Sequence, residues 1–241
     1  MKSEIVSRAI AYFHTEPHAA DVAAAFHAFV SDLDGDESEL IDDESIRMLF
    51  LEWMLFDHRL ANGRTFFEHY AAVNESFLKE EELRECRDIL SENEYGMFVV
   101  EAVRPGYGMR VRSAASGNVY DVLERTGSNT VAADQIIFVR VVRMGDQYEF
   151  LSGIIHSFEE MRLGKSLEEQ IRKEKYTITP KDVAGWIVGR KDRKKKESDK
   201  GDEEEWDLDT ARSRLSQILR ETGLEKMVGM NDIETWIRTS S

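Results

Sequence analysis

The sequence predicts an α+β fold: an acidic N-terminal helical bundle, a small antiparallel β-barrel or rolled sheet, and a helical C-terminal tail. Three observations predict it. Apolar residues recur at helical spacing up to Tyr95, and from Gly96 the period becomes that of a strand. The strand-like stretches are separated by turn residues every ~8–12 positions, as in small all-β units. The charge changes at the same place: residues 1–95 carry eight Lys and Arg against 22 Asp and Glu, while residues 96–158 carry six of each.

The helical half divides at its breakers. Ile5, Ala9, Ile10 and Phe13 define a first helix, stopped by His14-Thr15-Glu16-Pro17 because proline cannot continue a helix interior. A second helix is expected from about Pro17 to Leu33, burying Val22, Phe26, Phe29 and Val30, before an acidic turn over 32–38. Ser45 or Asp42 would cap a third, with Ile46, Leu49, Phe50, Trp53 and Met54 on one face and Asn62-Gly63 as the turn beyond it. Thr65-x-x-Glu68 is a capping box opening a helix whose apolar side is Phe66, Phe67, Tyr70 and Val73. A fifth helix, about 79–92, buries Leu83, Cys86, Ile89 and Leu90 behind a first turn of Glu80, Glu81 and Glu82 that suits the helix dipole.

Five strands follow, over residues 97–103, 109–112, 118–122, 135–144 and 148–151. The helical period returns at Met161, Leu163, Leu167 and Ile171. Thr179-Pro180 then starts a helix by cap and first-turn proline, with Val183, Trp186, Ile187 and Val188 as its apolar residues. Residues 190–205 hold no apolar side chain and are expected to form a charged flexible linker. A last segment repeats Leu208, Ala211, Leu215, Ile218 and Leu219. The expected domains are therefore 1–95 (acidic helical), 96–158 (barrel), 159–189 (helical extension), 190–205 (linker) and 206–241 (C-terminal helical segment).

Two stretches carry a family resemblance. One is Phe50-Leu51-Glu52-Trp53-Met54-Leu55-Phe56-Asp57 with Asn62-Gly63-Arg64-Thr65-Phe66-Phe67-Glu68-His69-Tyr70. The other runs from Gly96-Met97-Phe98-Val99-Val100 through Asp134-Gln135-Ile136-Ile137-Phe138-Val139-Arg140. Over about residues 45–155 the chain resembles an uncharacterised group of bacterial cytosolic proteins, some of which end in a SEC-C zinc motif. The resemblance implies architecture and no activity. That motif needs three cysteines and a further Cys or His, and the C-terminal region here has no cysteine, so its zinc site is not implied.

Several function classes recede on composition. Cys86 is the one cysteine, which excludes an intrachain disulfide and a cysteine-rich zinc site and suits a reducing compartment. No uninterrupted run of about 18 apolar residues is present, so no membrane-spanning helix is expected, and the N-terminus does not read as a signal peptide. The expected location is cytoplasmic. A net charge of −15, concentrated in the helical half, repels phosphate backbones and favours a basic protein as partner.

Among candidate site residues, His14 and His18 are four apart with Asp21 beyond, a weak metal pattern with Pro17 between the histidines. Asp32-x-Asp34-x-Asp36 begins like a calcium loop, but its glycine precedes the third aspartate and position 12 is Asp43. Gly106-x-Gly108 lies between strands and has no helix behind it to hold a phosphate. Nothing resembles a nucleophile elbow, and Cys86 belongs to an apolar face. Asp57, at a helix C-terminus where negative charge is unfavourable, needs a cation, for which Arg59 and Arg64 are the natural candidates. Arg110 and Arg112 share a strand face that could meet an acidic peptide or RNA, or balance Glu101, Asp121 and Glu124 in solvent. Asp57, Arg64, Arg110 and Arg112 are thus the candidate partner-binding residues, with no catalytic residue and no cofactor expected. The leading function is a non-enzymatic interaction protein. The alternatives are a nucleic-acid- or ribosome-associated barrel module and a metal-dependent hydrolase.

Overall fold

The architecture comes from a computed structural model, which describes residues 3–33, 40, 42–151, 156–157, 173 and 177–199, the side chains of 156, 157 and 190–199 excepted. Before the sheet lie the helices α1 (Glu4–Phe13), α2 (Ala19–Val30), α3 (Glu44–Phe56), α4 (Phe66–Val73) and α5 (Glu80–Ser91). The strands that follow among the described residues are β1 (Asn93–Arg104), β2 (Gly108–Ser113), β3 (Val119–Leu123), β4 (Ile136–Met144), β5 (Gln147–Phe150) and β6 (His156–Ser157). Helix α6 (Pro180–Asp199) comes after them.

Local chemistry accounts for most boundaries. Ser3 accepts from the Val6 amide at the start of α1. A 3₁₀ turn at Glu16–His18 contains Pro17 and separates α1 from α2. Asp43, rather than Asp42 or Ser45, caps α3, accepting from the amides of Ser45 and Ile46; it stands where a side-chain oxygen reaches the first-turn N–H groups. Thr65 and Glu68 form the expected reciprocal box at α4. Val73 is 49% exposed rather than part of that helix's buried face, because it is the last residue of a short helix and lies past the core.

The strands form a rolled α+β sheet in the order β1-β2-β3-β5-β4-β6, and β4 also pairs with β1, so five of them close into a ring. Every pairing is antiparallel except β3 with β5, which meet in parallel at Val122 and Tyr148. The expected sheet was wholly antiparallel. Five strands alternating up and down cannot close without two neighbours running the same way, and the seam falls at the short strand β5.

The β1–β4 wall divides two apolar cores. On β4 the residues Ile137, Val139 and Val141 point into the ring, with Phe98, Val100, Val111 and Phe150. The alternate residues Ile136, Phe138 and Val142 point to the helices, beside Met97, Leu55, Phe67 and Ile89. Burial on both faces is why β4 reads as an unbroken β-branched run instead of an alternating one.

Helix α6 closes the helical side. Thr179 and Asp182 exchange hydrogen bonds at its start, Val183 and Val188 are buried, and the Trp186 ring meets Phe138 edge-on at 5.2 Å. Lys181 Nζ donates to the Ala28 carbonyl (2.8 Å) and to Asp32 Oδ2 (2.7 Å), fixing α6 to the end of α2. The helix continues to Asp199, so 190–199, expected as flexible linker, is helical backbone. Arg, Lys and Glu are good helix formers, and a segment with no apolar residue can prolong a helix nucleated by a docked first half. The expected helix around 161–171, the remaining linker and the 206–241 segment lie outside the described residues.

Candidate functional site

Arg140 is the one β4 residue of charged type between two apolar neighbours on the helical face, and it is 2% exposed. Its guanidinium gathers three side chains from α3 and β1. Nε donates to Glu52 Oε1 of α3 (3.2 Å), Nη2 to Asp57 Oδ2 at the end of α3 (2.5 Å), and Nη1 to Asn93 Oδ1 of β1 (2.8 Å). The rings of Phe56 and Tyr95 flank it, their centroids 5.0 and 5.4 Å from Cζ. Glu52 is also 2% exposed. A buried arginine needs this set, because an unpaired ion in an apolar interior is far more costly than a paired one.

Asp57 therefore finds its cation across 83 residues of sequence, on Arg140, and not on Arg59 or Arg64. Arg59 donates to the Gly63 carbonyl and approaches Glu68 at 3.9 Å. Arg64 is exposed and makes no ion pair among the described residues. The side chain of Asp57 is 28% exposed, and burial pushes its carboxyl above the usual carboxylate range while Arg140 pulls it down.

Beside this cluster lies a pocket of about 230 Å³, lined by Asp57, Asn93, Glu94, Tyr95 and Arg140 on one side and by Thr177, Ile178 and Thr179 ahead of α6 on the other. Tyr95 is 7% exposed and its hydroxyl has no hydrogen-bond partner among the described residues. Burial, followed by the nearby Glu52 carboxylate, holds that hydroxyl well above its ordinary pKa, so it stays protonated.

A second polar group lies at the ring. Glu94 accepts from the hydroxyls of Ser113, Ser116 (3.2 Å) and Tyr120 (2.8 Å). Burial, reinforced by Glu94, pushes Tyr120 up to about 12. Tyr148 donates to Glu92, which also takes Arg143 (2.5 Å). The Glu94 network links β1, β2 and β3, and the Glu92 contacts tie the sheet to the end of α5.

The other sequence candidates are dispersed. Arg110 and Arg112 do share the outer face of β2, and each is paired: Arg110 with Asp121 through two bonds of 3.1 and 2.9 Å, Arg112 with Glu101 at 2.8 Å. Glu124 is buried and caps the Thr126–Gly127 turn instead of balancing that face. His14 ends α1, His18 packs its ring on Tyr12 and Phe13, and Asp21 is exposed in the first turn of α2. The His18 and His69 rings lie 6.4 Å apart, centre to centre. Among the described residues no group of three or more His, Cys, Asp or Glu is placed to hold a metal ion. Residues 34 and 36 of the calcium-like turn lie outside the described residues.

The Arg140 cluster was missed from the sequence, where Arg140 was given no role and the partner of Asp57 was sought among Arg59 and Arg64. Its one signal was a lone arginine inside an apolar run that reads as buried on both faces, together with Glu52 within the aromatic stretch of α3.

The pattern of the family of unknown function DUF7986 matches residues 9–184 of the chain. The protein belongs to that family. The matched DUF7986 region runs from the second half of α1 into the first turn of α6, so it includes every residue of the Arg140 cluster and of the pocket beside it. No curated protein matches the chain, and no solved structure does. Among the described residues no helix is long and apolar enough to cross a membrane.

Proposed function

We propose that this DUF7986 protein is a non-enzymatic, cytoplasmic interaction protein whose acidic helical surface engages a basic protein. The observation that supports this reading is an asymmetry in how charge is spent. Glu4, Glu16, Asp21, Glu44, Glu75 and Glu81 are exposed on the helical half and make no ion pair among the described residues. Arginines of the sheet are instead committed to carboxylates of their own chain: Arg110 to Asp121, Arg112 to Glu101 and Arg143 to Glu92. Unspent surface carboxylates steer a cationic partner at long range, and intramolecularly paired arginines have little left for a phosphate backbone. The nucleic-acid- or ribosome-associated reading therefore has less behind it. Kinship with SEC-C-bearing bacterial proteins rests on the residue stretches quoted for it, and its lack of an assigned activity agrees with a family of unknown function.

The test is co-purification of the tagged full chain at stepped ionic strength, with the partner identified by mass spectrometry. Neutralising the six carboxylates together (Glu→Gln, Asp→Asn) should reduce recovery of a partner of pI above about 9 by roughly tenfold, while Arg110→Gln with Arg112→Gln leaves it unchanged. Recovery that ignores the six substitutions, or an acidic partner, would end the reading.

A further inference from the structure

We propose that the far end of the ring, at the β1–β2 turn, is a docking surface for an acidic protein segment, held by Arg104, Tyr107 and Arg125. Residues 96–158 contain six arginines and no lysine. Four of them are committed within the chain: Arg110 to Asp121, Arg112 to Glu101, Arg140 to Glu52 and Asp57, and Arg143 to Glu92. Arg104 and Arg125 are exposed and make no ion pair among the described residues.

The backbone brings these two to one place. Arg104 is paired with Gly108, and Gly108 with Leu123, so the ends of β1 and β3 flank the start of β2. The Tyr107 amide donates to the Arg104 carbonyl (3.0 Å), and the Tyr107 carbonyl accepts from the Glu124 amide (3.2 Å). Tyr107, 56% exposed, therefore sits on a turn bonded to Arg104 and to the residue before Arg125. The Arg125 carbonyl accepts from Ser128 Oγ (3.0 Å) and Asn129 Nδ2 (2.9 Å), which fixes its backbone and leaves the side chain in solvent. Ordered backbone beneath exposed polar side chains lowers the entropy that docking costs.

Local carboxylates do not neutralise this end. Asp121 is held through both oxygens by Arg110. Glu124 is buried and gives Oε1 to the amides of Thr126 and Gly127. The Asp134 amide bonds the Val100 carbonyl (2.8 Å), which places Asp134 back along β1. The acidic helices are more remote. Met97 is the last β1 residue of the helix-facing core, and roughly 23 Å of strand separates it from Arg104. That exceeds the ~8 Å screening length of physiological salt, so the helical charge is largely screened at the turn.

A carboxylate-bearing segment suits these groups better than a nucleic-acid strand. Guanidinium forks hold carboxylates bidentately, and arginine and tyrosine are enriched among the residues that dominate protein interfaces. A nucleic-acid strand needs a row of cations and successive stacking faces. Here two guanidiniums are uncommitted, and Tyr107 is the one exposed aromatic on the described strands and their turns. The chain thereby carries an acidic helical surface and, apart from it, a basic turn.

The experiment titrates the ¹⁵N-labelled full chain with an end-blocked peptide, Glu-Glu-Leu-Glu-Glu, and follows the amide shifts. The same peptide with glutamine for glutamate is the neutral control, and a short oligothymidylate tests the other class of anion. The acidic peptide should give saturable shifts at residues 104–108 and 123–127, with a half-point in the millimolar range that rises about threefold at high salt. Arg104→Gln with Arg125→Gln should weaken binding about tenfold, and Tyr107→Ala about threefold. All three side chains are exposed, so these variants should keep the fold, which a dispersed spectrum verifies. Absence of saturable shifts, an equal response to the glutamine peptide, tighter binding of the oligothymidylate, shifts confined to the helices, or unchanged affinity in the double variant would overturn the proposal. None of these outcomes depends on whether a basic protein binds the helical surface.

Discussion

Tyr95 and Arg140 face each other directly across the β1–β4 ladder, as Cα partners on the side of the sheet that meets the helices. One is an aromatic whose hydroxyl has no partner among the described residues, the other a cation with bonds to three side chains. Because strand neighbours on one face are fixed in register, the orphan and the hub are held together by backbone pairing and not by their own attraction. The helical half and the ring thereby share one polar junction set within apolar surroundings.

Arg140→Met should be among the most destabilising single changes in the protein. It leaves Glu52 and Asp57 facing an apolar wall, and breaking a buried pair from one side costs about 3–5 kcal/mol. Replacing the three charged members together (Arg140→Met, Glu52→Leu, Asp57→Asn) should recover much of that loss, since a well-packed apolar substitute often equals a buried ion pair. Urea unfolding of the single and triple variants measures both, and a triple variant no better than the single would show that the network itself holds the halves together.

Tyr95→Phe should raise stability by about 1 kcal/mol. The fold carries the desolvation of a hydroxyl that no described group repays, and phenylalanine fills the same space without it. A thermal or urea midpoint that falls instead would mean the hydroxyl has a partner in solution.

Much of this fold was legible before any coordinates. Thr65 and Glu68 state their capping box in four letters, and the β-branched run 135–144 announces a long strand, though not its burial on both faces. The parallel β3–β5 seam was implicit in five strands but depended on ring closure, a long-range fact that no local pattern carries. Asp57 was marked as a charge needing a partner, and the partner chosen was a near neighbour in sequence. Its real partner is Arg140, which the β1–β4 pairing and the packing of α3 bring to it. Short-range patterns name elements and caps, whereas the site is assembled from α3, β1, β4 and the approach to α6, whose proximity only tertiary structure defines.

Gly108→Ala should destabilise by about 3 kcal/mol. A Cβ built at Gly108 would lie 2.1 Å from the carbonyl oxygen of Val122 on β3, a backbone atom that cannot rotate away. Gly108 starts β2 after the turn at Gly106 and is paired with Leu123, so relief requires separating β2 from β3. Chemical denaturation reads the loss, and amide exchange should show it first in β3, whose other contact with the ring is the short β5 seam.

Cys86 supplies a probe of the helical half. Burial, aided by Glu85 and Glu82, pushes its thiol up to about 11, and the residue is 2% exposed. The thiolate is the reactive form, so at pH 8 alkylation of the folded protein should be at least ~100-fold slower than in urea. The sign of the pH dependence follows from the same shift. The folded state holds the thiol proton more tightly than the unfolded chain, so this contribution to stability is whole below the unfolded value near 9 and is lost as pH rises towards about 11. Cys86→Ala removes that alkaline loss but leaves a small cavity against Ile89, costing about 1 kcal/mol at neutral pH. Its stability curve should therefore converge on that of the wild type between pH 9 and 11; two curves that stay parallel would mean that the thiol is not held protonated by the fold.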